Sequence, residues 1–259
     1  MAHGPADAPP VVLLHGFLGD GRDWEHIAAA LAESFRVYAL DLPGHGGSPP
    51  VGEVEVFYAA LAAWCDAFVQ RPIGLVGYSM GGRLALQWAC RYPERVGRLV
   101  LESASPGLQG QAERMPRLRH DAQVADALAA CDDAAAFVRW LEDWYGQPLF
   151  ATLAQHPEAR AAMLARRRNG KPAAMAEALR TFGVARLPDC WEALPALRCP
   201  VLCVAGERDA KYRQLAERMV ARLPHAAPEV MSGCGHNVHV ENPEGYTAVL
   251  RAFLARSAV

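Results

Sequence analysis

The chain has 259 residues, of which 52% are hydrophobic, and its 26 basic and 28 acidic side chains give a formal net charge of −2. This length suits one domain, and the balanced charge lacks the basic surface that nucleic-acid binding requires. No apolar run reaches the roughly 18 residues that a membrane-spanning helix needs, and the opening MAHGPADAPP has neither the basic nor the apolar region of a signal peptide. Seven scattered cysteines fit a reducing compartment, so we expect a cytoplasmic protein without nucleic-acid or membrane partners.

From the N-terminus onward, short apolar runs that end in Gly, Ser or Asp alternate with helical patterns. The apolar runs predict six strands, at residues 10–16, 35–42, 72–79, 96–103, 199–206 and 227–235. Amphipathic spacing predicts helices at residues 54–70, 82–92, 211–223 and 243–255. Continuous apolar strands suit a sheet that is buried on both faces, and strand–helix alternation implies parallel strands. We therefore predict an α/β fold with a mostly parallel central sheet flanked by helices.

One long stretch, residues 107–195, interrupts this alternation. It contains helical patterns rich in Ala, Leu and Arg, separated by loop signals such as Gly-Gln-Pro and Asn-Gly, and no convincing strand. A plain crossover helix would need far fewer residues. We expect residues 1–106 and 196–259 to form the core, and residues 107–195 to form a helical cap over the carboxyl ends of the strands.

The sequence GLVGYSMGGRLAL places Ser79 between Gly77 and Gly81, where the third predicted strand becomes a helix. In this context Gly-x-Ser-x-Gly predicts a nucleophile elbow, a tight turn that lifts the serine hydroxyl above the sheet. Side chains at the two glycine positions would collide with the neighbouring strand or helix. The backbone N–H of Met80 is expected to form one half of an oxyanion hole, and that of Phe17, in the sequence LHGF, the other half.

A serine nucleophile needs a histidine base that is oriented by a carboxylate. His236 lies between the last predicted strand and the last helix and is the predicted base, whereas His239 is expected to begin or flank that helix. Asp209, in GERDAKY after the fifth strand, gives the chain order Ser…Asp…His of the α/β-hydrolases. Glu207 is too close to its strand to reach over easily, and Asp41 precedes the serine in the chain.

Seven motifs run in order through nearly the whole chain: LLHGFLGDGRDW, DLPGHGGS, GYSMGGR, ESASPGLQ, DWYGQPLF, GERDAKY and GCGHNVHVENP. Together they closely resemble the 2-succinyl-6-hydroxy-2,4-cyclohexadiene-1-carboxylate synthase family, which are lyases of the α/β-hydrolase fold in menaquinone (vitamin K2) biosynthesis. HGF, the elbow and GCGH are shared by many serine hydrolases. GGR, ESASPGLQ and DWYGQPLF are more specific to this family.

The resemblance implies an elimination and not a hydrolysis. Family members remove a proton from the ring of 2-succinyl-5-enolpyruvyl-6-hydroxy-3-cyclohexene-1-carboxylate and expel pyruvate. The histidine activates the serine oxygen, which takes the proton, and backbone amides stabilise the developing negative charge. We expect neither a metal nor another cofactor, because the sequence has no zinc-type cluster and no Gly-x-Gly-x-x-Gly after a strand.

The family substrate is a small-molecule tricarboxylate, so its site needs several cations, and arginine suits planar bidentate pairing best. Arg83 lies one helical turn after Ser79 and can face the same pocket, unless it is a solvated arginine on the helix surface. Tyr78 could donate its hydroxyl to the substrate or pack in the core. The resemblance implies substrate binding in the cap by Arg117, Trp144 and one of Arg166, Arg167 and Arg168, among which we favour Arg166.

Two other classes of function remain open from the sequence. A carboxylesterase or a C–C bond hydrolase could use the same triad, but it would have no reason to bring Arg83, Arg117 and a further cap arginine together. A non-catalytic receptor or scaffold of this fold would not need Ser79, Asp209 and His236 to be intact. We expect a monomer or a weak homo-oligomer.

Overall fold

The computed structural model describes residues 2–256. Within them, one sheet of seven strands has the spatial order β1-β3-β2-β4-β5-β6-β7. The strands are β1 Ala2–His3, β2 Pro10–Leu14, β3 Arg36–Leu40, β4 Ile73–Tyr78, β5 Val96–Glu102, β6 Val201–Gly206 and β7 Ala226–Met231. All neighbouring strands are parallel except β1, which pairs with β3 in the antiparallel direction. The predicted α/β class with a mostly parallel sheet is therefore confirmed, and β1 is an edge strand that the sequence did not predict.

The α-helices are α1 Glu25–Leu31, α2 Val54–Phe68, α3 Met80–Arg91, α4 Gln111–Ala129, α5 Ala134–Tyr145, α6 Pro157–Arg167, α7 Pro172–Phe182, α8 Ala210–Val220, α9 Val238–Glu241 and α10 Pro243–Leu254. Short 3-10 helices occur at Gly21–Trp24, Pro93–Arg95, Pro148–Gln155 and Leu194–Ala196. The four helices that the sequence predicted outside residues 107–195 are all present. No helix among residues 2–256 has both the length and the apolarity that crossing a bilayer requires.

The sheet is buried on both faces. Every residue of β2 and β6 is buried, as parallel strands between two layers of helices require. On one face, α2, α3 and α8 contribute side chains such as Leu61, Trp88 and Met219 to an apolar cluster. On the other face, α1 and α10 contribute side chains such as Leu31 and Leu250 to a second cluster.

Strand register aligns the carboxyl ends of the central strands. Leu14 of β2 pairs with Gly77 of β4, and Tyr78 of β4 pairs with Glu102 of β5. The segments that follow these strands therefore meet at one edge of the sheet, where ligands of open α/β sheets bind. Each segment that carries a predicted active-site residue of the core begins at this edge.

Residues 107–195 contain helices and turns and no strand in the part of the chain that the structure describes. Helix α4 packs against α7, and a third apolar cluster joins the helices of this segment to Leu18, in the turn after β2. The segment therefore has an apolar core of its own that reaches the edge of the sheet. The boundaries that divide the chain into core and cap at residues 107 and 195 stay a prediction.

Candidate active site

Ser79 occupies the turn between β4 and α3 with a φ of 50° and a ψ of −107°. Residues with a side chain rarely adopt this conformation, which is typical of strained functional turns. A Cβ atom at Gly77 would collide with the backbone of Gly81 and Gly82, and one at Gly81 would collide with the carbonyls of Leu14 and His15. The chain therefore passes too close to itself for any residue other than glycine at either position, as the sequence predicts.

Ser79, His236 and Asp209 form one hydrogen-bonded chain. His236 Nε2 is 3.1 Å from Ser79 Oγ, and His236 Nδ1 is 2.7 Å from Asp209 Oδ2. With its proton on Nδ1, His236 donates to Asp209 and accepts from the serine hydroxyl. Asp209 is the N-cap residue of α8, and its carboxylate accepts the N–H of Tyr212. This hydrogen bond fixes the orientation of the carboxylate. This geometry suits proton transfer from the serine to the histidine.

The loop before His236 is tied to the cap segment. Glu241 of α9 accepts the N–H of Gly235 at 2.7 Å, and it also accepts the hydroxyl of Thr152 at 2.9 Å. Thr152 belongs to the 3-10 helix Pro148–Gln155. A carboxylate in α9 therefore fixes the backbone beside His236 and joins it to the segment above.

The other candidate bases and carboxylates are engaged elsewhere. His239 lies in α9 with Nδ1 2.8 Å from Oε1 of Glu102, at the buried end of β5. Glu207 accepts the N–H of Gly233, and Asp41 accepts the N–H of Gly21. The Glu102–His239 pair was not predicted. A glutamate at the end of a buried strand, in the sequence VLES, was the available signal for it.

The loop that carries Phe17 is supported by two buried neutral histidines. His15 Nε2 accepts the N–H of Leu42, and His45 Nε2 accepts the N–H of Leu18. Burial lowers the pKa of both rings, that of His45 to about 3. Both histidines therefore remain uncharged acceptors near neutral pH and hold the turn that follows β2.

The two predicted oxyanion-hole residues lie beside the serine. Phe17 and Met80 both line the cavity that Ser79 lines. Within residues 2–256, the N–H of Phe17 donates to no protein acceptor, and that of Met80 is at the first position of α3, where a helix has no internal acceptor. Both amides are therefore available for a negatively charged oxygen.

This cavity has a volume of about 160 Å³ and brings together most of the predicted site. Asp209 does not line it, because it lies behind His236. The predicted residues that line it are Phe17, Tyr78, Ser79, Met80, Arg83, Arg117, Trp144 and His236. Nine further residues that line it were not singled out from the sequence: His120, Asp121, Tyr145, Gln147, Leu149, Phe150, Leu179, Lys211 and Tyr212.

Aromatic rings join the cap segment to the serine loop. Trp144 of α5 meets the ring of Phe17 edge-on, with centroids 5.5 Å apart, and stacks on Trp140. Tyr78 is buried, and its ring packs against His236 and His239. Burial raises the pKa of Tyr78 well above its usual value, so its hydroxyl stays protonated. The side chain therefore packs in the core and also lines the cavity, and donation of its hydroxyl to a substrate stays a prediction.

Arg83 is a buried cation without a counter-ion. Its side chain faces the cavity and is 7% exposed. It forms no ion pair within residues 2–256, and its Nε has no hydrogen-bond partner there. Burial lowers the pKa of Arg83. An unpaired buried charge is costly, so this arrangement suits an anionic ligand.

The remaining predicted arginine positions differ in their surroundings. Arg117 of α4 lines the cavity and is paired with Asp121 at 2.6 Å. Arg166 does not line the cavity. Its Nε is 3.5 Å from Asp23, and it borders two other surface cavities. The geometry therefore gives no support to Arg166 as a substrate ligand, and that role stays a prediction.

Neighbouring Arg167 has a different function in the fold. It is 3% exposed, and its two terminal nitrogens each donate to Asp23 at 2.7 Å while Nε donates to Tyr145. Burial would raise the pKa of Asp23, but the guanidinium of Arg167 outweighs burial and holds it well below its usual range. Arg168 is exposed. Successive helical residues point about 100° apart, so the packing of α6 decides which arginine is buried.

No group of three or more His, Cys, Asp or Glu side chains that could hold a metal ion is found among the described residues. The polar groups of the cavity include a serine with its histidine, the amides of Phe17 and Met80, and three cations, beside one carboxylate, Asp121, which is paired with Arg117. This set can transfer a proton, stabilise a negatively charged oxygen and bind a carboxylate.

Comparison with known proteins agrees with this geometry. A family model described as the alpha/beta hydrolase fold matches residues 9–243. The 2-succinyl-6-hydroxy-2,4-cyclohexadiene-1-carboxylate synthase of Escherichia coli O1:K1 is 38% identical over 255 residues, which are 97% of this chain and 96% of that protein. Among solved structures, MenH from S. aureus superposes with a TM-score of 0.92 at 31% identity, covering 98% of this chain and 97% of that one. A thermophilic esterase from Thermogutta terrifontis, with malate bound, has a TM-score of 0.83 at 27% identity, covering 100% of this chain and 93% of that one.

Proposed function

Because the chain belongs to the α/β-hydrolase family and, within it, to the 2-succinyl-6-hydroxy-2,4-cyclohexadiene-1-carboxylate synthases, we propose that it is a carbon–oxygen lyase of menaquinone biosynthesis. It converts 2-succinyl-5-enolpyruvyl-6-hydroxy-3-cyclohexene-1-carboxylate into the cyclohexadiene product and pyruvate. The observation that carries this proposal is the unpaired, buried Arg83 in the cavity of Ser79. A tricarboxylate supplies the counter-ion that the protein does not.

In this mechanism the triad acts as a base. His236 takes the hydroxyl proton of Ser79, and the serine oxygen removes the proton from ring carbon 2. The electron pair of that C–H bond forms a double bond between carbons 2 and 3, and the existing double bond moves to carbons 4 and 5. The bond from carbon 5 to the enolpyruvyl oxygen breaks, and the departing enolpyruvate takes a proton and becomes pyruvate.

Negative charge develops in this reaction on the carbonyl oxygen of the succinyl group, which is attached to carbon 2. The free amides of Phe17 and Met80 donate to this oxygen, a role that is supported by their position in the lining of the same cavity as Ser79. Removal of one donor of this kind typically costs about 10²- to 10³-fold in kcat. Asp209 stabilises the charged form of His236 through its 2.7 Å contact.

Arg83 separates this proposal from the hydrolase alternative. An esterase that acts on neutral substrates needs the triad and the amides, but it gains nothing from an uncompensated buried guanidinium. A charge-assisted hydrogen bond to a carboxylate contributes about 1.5–3 kcal/mol. Loss of Arg83 therefore weakens the elimination and leaves hydrolysis of a neutral ester almost unchanged.

The experiment compares two reactions of the same variants. Arg83→Ala should lower kcat/KM for pyruvate release roughly ten- to hundredfold, and Arg83→Lys should recover only part, because an ammonium cannot form the planar pair. Hydrolysis of p-nitrophenyl acetate, if present, should change little. Arg91→Ala, an exposed position in the same helix α3, is the matched control and should change neither reaction. Equal losses in both reactions would favour the hydrolase alternative.

A further inference from the structure

A second cavity adjoins the one that Ser79 lines. It has a volume of about 380 Å³ and lies among α4, α8 and the segment after β5. Four side chains line both cavities: Arg83, Arg117, Lys211 and Tyr212. These shared side chains place the two cavities next to each other, with the cations of the site between them.

The cavity of Ser79 is too small for the whole of the proposed substrate. Its volume is about 160 Å³, whereas sites for drug-sized ligands typically occupy roughly 300–1,000 Å³. The proposed substrate is a six-membered ring with three substituents that bear carboxylates. The two cavities together fall within the usual range, so a substrate that reacts at Ser79 must extend into the second cavity.

Basic side chains dominate the second cavity, and two of them already have partners. Its lining includes four cations and one acid, Glu113. Arg117 is paired with Asp121. Arg218 lies over the ring of Trp191, 4.4 Å from its centroid, and it also donates to Gln109. These two arginines are therefore partly compensated within the protein.

The other two cations, Arg83 and Lys211, have no counter-ion. Lys211 forms no ion pair with a carboxylate of residues 2–256, and its ammonium lies 5.4 Å from the ring centroid of Tyr212. It lies in the first turn of α8, two residues after Asp209, so its backbone position is tied to the triad. Lys211 is exposed, which leaves its flexible side chain free to reach an entering anion.

We propose that the second cavity is a subsite for the succinyl arm of the substrate and that Lys211 binds the terminal carboxylate of this arm. This inference rests on the proposed function for the identity of the arm. The reacting ring carbon and the departing enolpyruvyl group must lie beside Ser79. The succinyl group is the flexible arm whose carboxylate lies furthest from the ring, and it therefore reaches past the shared side chains.

A binding experiment tests the subsite without the reaction. The probe is 4-oxo-4-phenylbutanoate, which carries the succinyl arm on a ring and has no leaving group, and 4-oxo-4-phenylbutanamide is its neutral counterpart. By calorimetry, Lys211→Gln should weaken binding of the acid about tenfold, as expected for loss of a charge-assisted hydrogen bond, and should leave binding of the amide within about twofold. Lys211→Arg should retain most of the affinity for the acid.

The chain offers a matched control, because Lys171 is its other lysine. Lys171 precedes α7, is exposed and lines neither cavity, so Lys171→Gln should change neither affinity. Equal affinity of Lys211→Gln and wild type for the acid would overturn the proposal. An equal loss for acid and amide would overturn it too, because the effect would then not depend on the carboxylate.

Steady-state kinetics separate this inference from the proposed function. With the full substrate, Lys211→Gln should raise KM about tenfold and leave kcat nearly unchanged, since the carboxylate is bound equally before and during the reaction. Absence of pyruvate release by wild type, together with the expected acid–amide difference, would remove the proposed function and keep a carboxylate subsite at Lys211. Pyruvate release with no acid–amide difference would remove the subsite alone.

Discussion

The imidazole of His236 is held between a serine hydroxyl and a carboxylate, at 3.1 Å and 2.7 Å. His239, three residues later, has its own carboxylate in Glu102. The chain thus contains two buried histidine–carboxylate pairs, and only the pair of His236 contacts Ser79 among the described residues. Contact with the nucleophile, and not burial or pairing, distinguishes the predicted base.

Substitutions in the triad should each remove most of the turnover. Ser79→Ala, His236→Ala and Asp209→Asn should each lower kcat for pyruvate release by roughly 10³-fold or more, and a double variant should lose little beyond either single one, because the residues act as one unit. The measurement is kcat, with thermal unfolding to show that each variant is folded. If His236→Ala had near-normal activity and His239→Ala were inactive, the base would be His239 and not His236.

His45 makes stability depend on pH in a defined direction. The folded state lowers the pKa of His45 from 6.5 to about 3, so between these values the unfolded chain binds a proton that the folded chain does not. The stability that neutral His45 contributes is therefore fully present above about pH 6.5 and is lost as the pH falls towards 3.

The variant His45→Gln keeps an uncharged side-chain acceptor for the N–H of Leu18 and removes the titration. Its free energy of unfolding can be measured with urea at intervals between about pH 4 and pH 8. This free energy should fall less steeply on acidification than that of wild type. The two proteins should differ in stability by a nearly constant amount above about pH 7, and that difference should change steadily below it. A difference that is independent of pH would show that His45 does not carry this effect.

Several residues of the site were predictable because chemistry fixes their spacing and chain order. The elbow, the base and the carboxylate each follow a strand at the same edge of the sheet, which sequence patterns indicate directly. Lys211 and Glu102 were not singled out, because a lysine after a turn and a glutamate after a strand are common and only packing shows what they face. The choice of Arg166 has no support in the geometry for the same reason, since the rotation of α6 on the core decides which arginine is buried.

At the scale of elements, a buried ion pair joins the cap segment to the core. Arg167 at the end of α6 forms a two-point contact with Asp23 in the 3-10 helix Gly21–Trp24, and it also holds the hydroxyl of Tyr145 at the end of α5. Tyr145 lines the cavity of Ser79. This pair therefore fixes one wall of the cavity as well as the approach of the cap to the sheet.

Breaking that pair should destabilise the protein strongly. Arg167→Met removes both 2.7 Å contacts of the buried Asp23 carboxylate and leaves it only the 3.5 Å contact with Arg166, and breaking a buried pair in this way typically costs about 3–5 kcal/mol. Urea denaturation should show a loss of this size, whereas Arg168→Met, at the neighbouring exposed position, should change the free energy of unfolding by less than about 0.5 kcal/mol. Similar values for the two variants would contradict the importance of the buried pair.

Long elements were predicted well and short ones were not. Strands β2 to β7 and helices α2, α3, α8 and α10 have clear apolar patterns, and all were expected. Helix α1 has seven residues, α9 has four and β1 has two, and each is shorter than the window over which a period can be recognised. These short elements exist because packing and a neighbouring strand stabilise them, which local sequence does not reveal.

At the scale of the whole molecule, a nearly neutral chain concentrates positive charge in one place. The formal net charge is −2, yet Arg83, Arg117 and Lys211 meet where the two cavities adjoin. Arg117 is paired with Asp121. Arg83 and Lys211 form no ion pair with any carboxylate of residues 2–256. The proposed anion site therefore depends on individually placed side chains and not on overall composition.

The same architecture supports hydrolases, since an esterase with a TM-score of 0.83 shares it. The core supplies the nucleophile, base and amides, which are compatible with either reaction. We expect the difference to lie in the cations that α3, α4 and α8 present to the cavity: Arg83, Arg117 and Lys211. We therefore expect substrate choice in this protein to depend on the cations around Ser79 and not on the triad.

The most direct test of this account is the release of pyruvate from 2-succinyl-5-enolpyruvyl-6-hydroxy-3-cyclohexene-1-carboxylate, followed with lactate dehydrogenase and NADH. Wild-type protein should release one pyruvate for each molecule of cyclohexadiene product, and Ser79→Ala should lower the rate by roughly 10³-fold or more. No pyruvate above the rate in buffer, or equal rates for wild type and Ser79→Ala, would contradict the assignment of this chain as a lyase that uses Ser79.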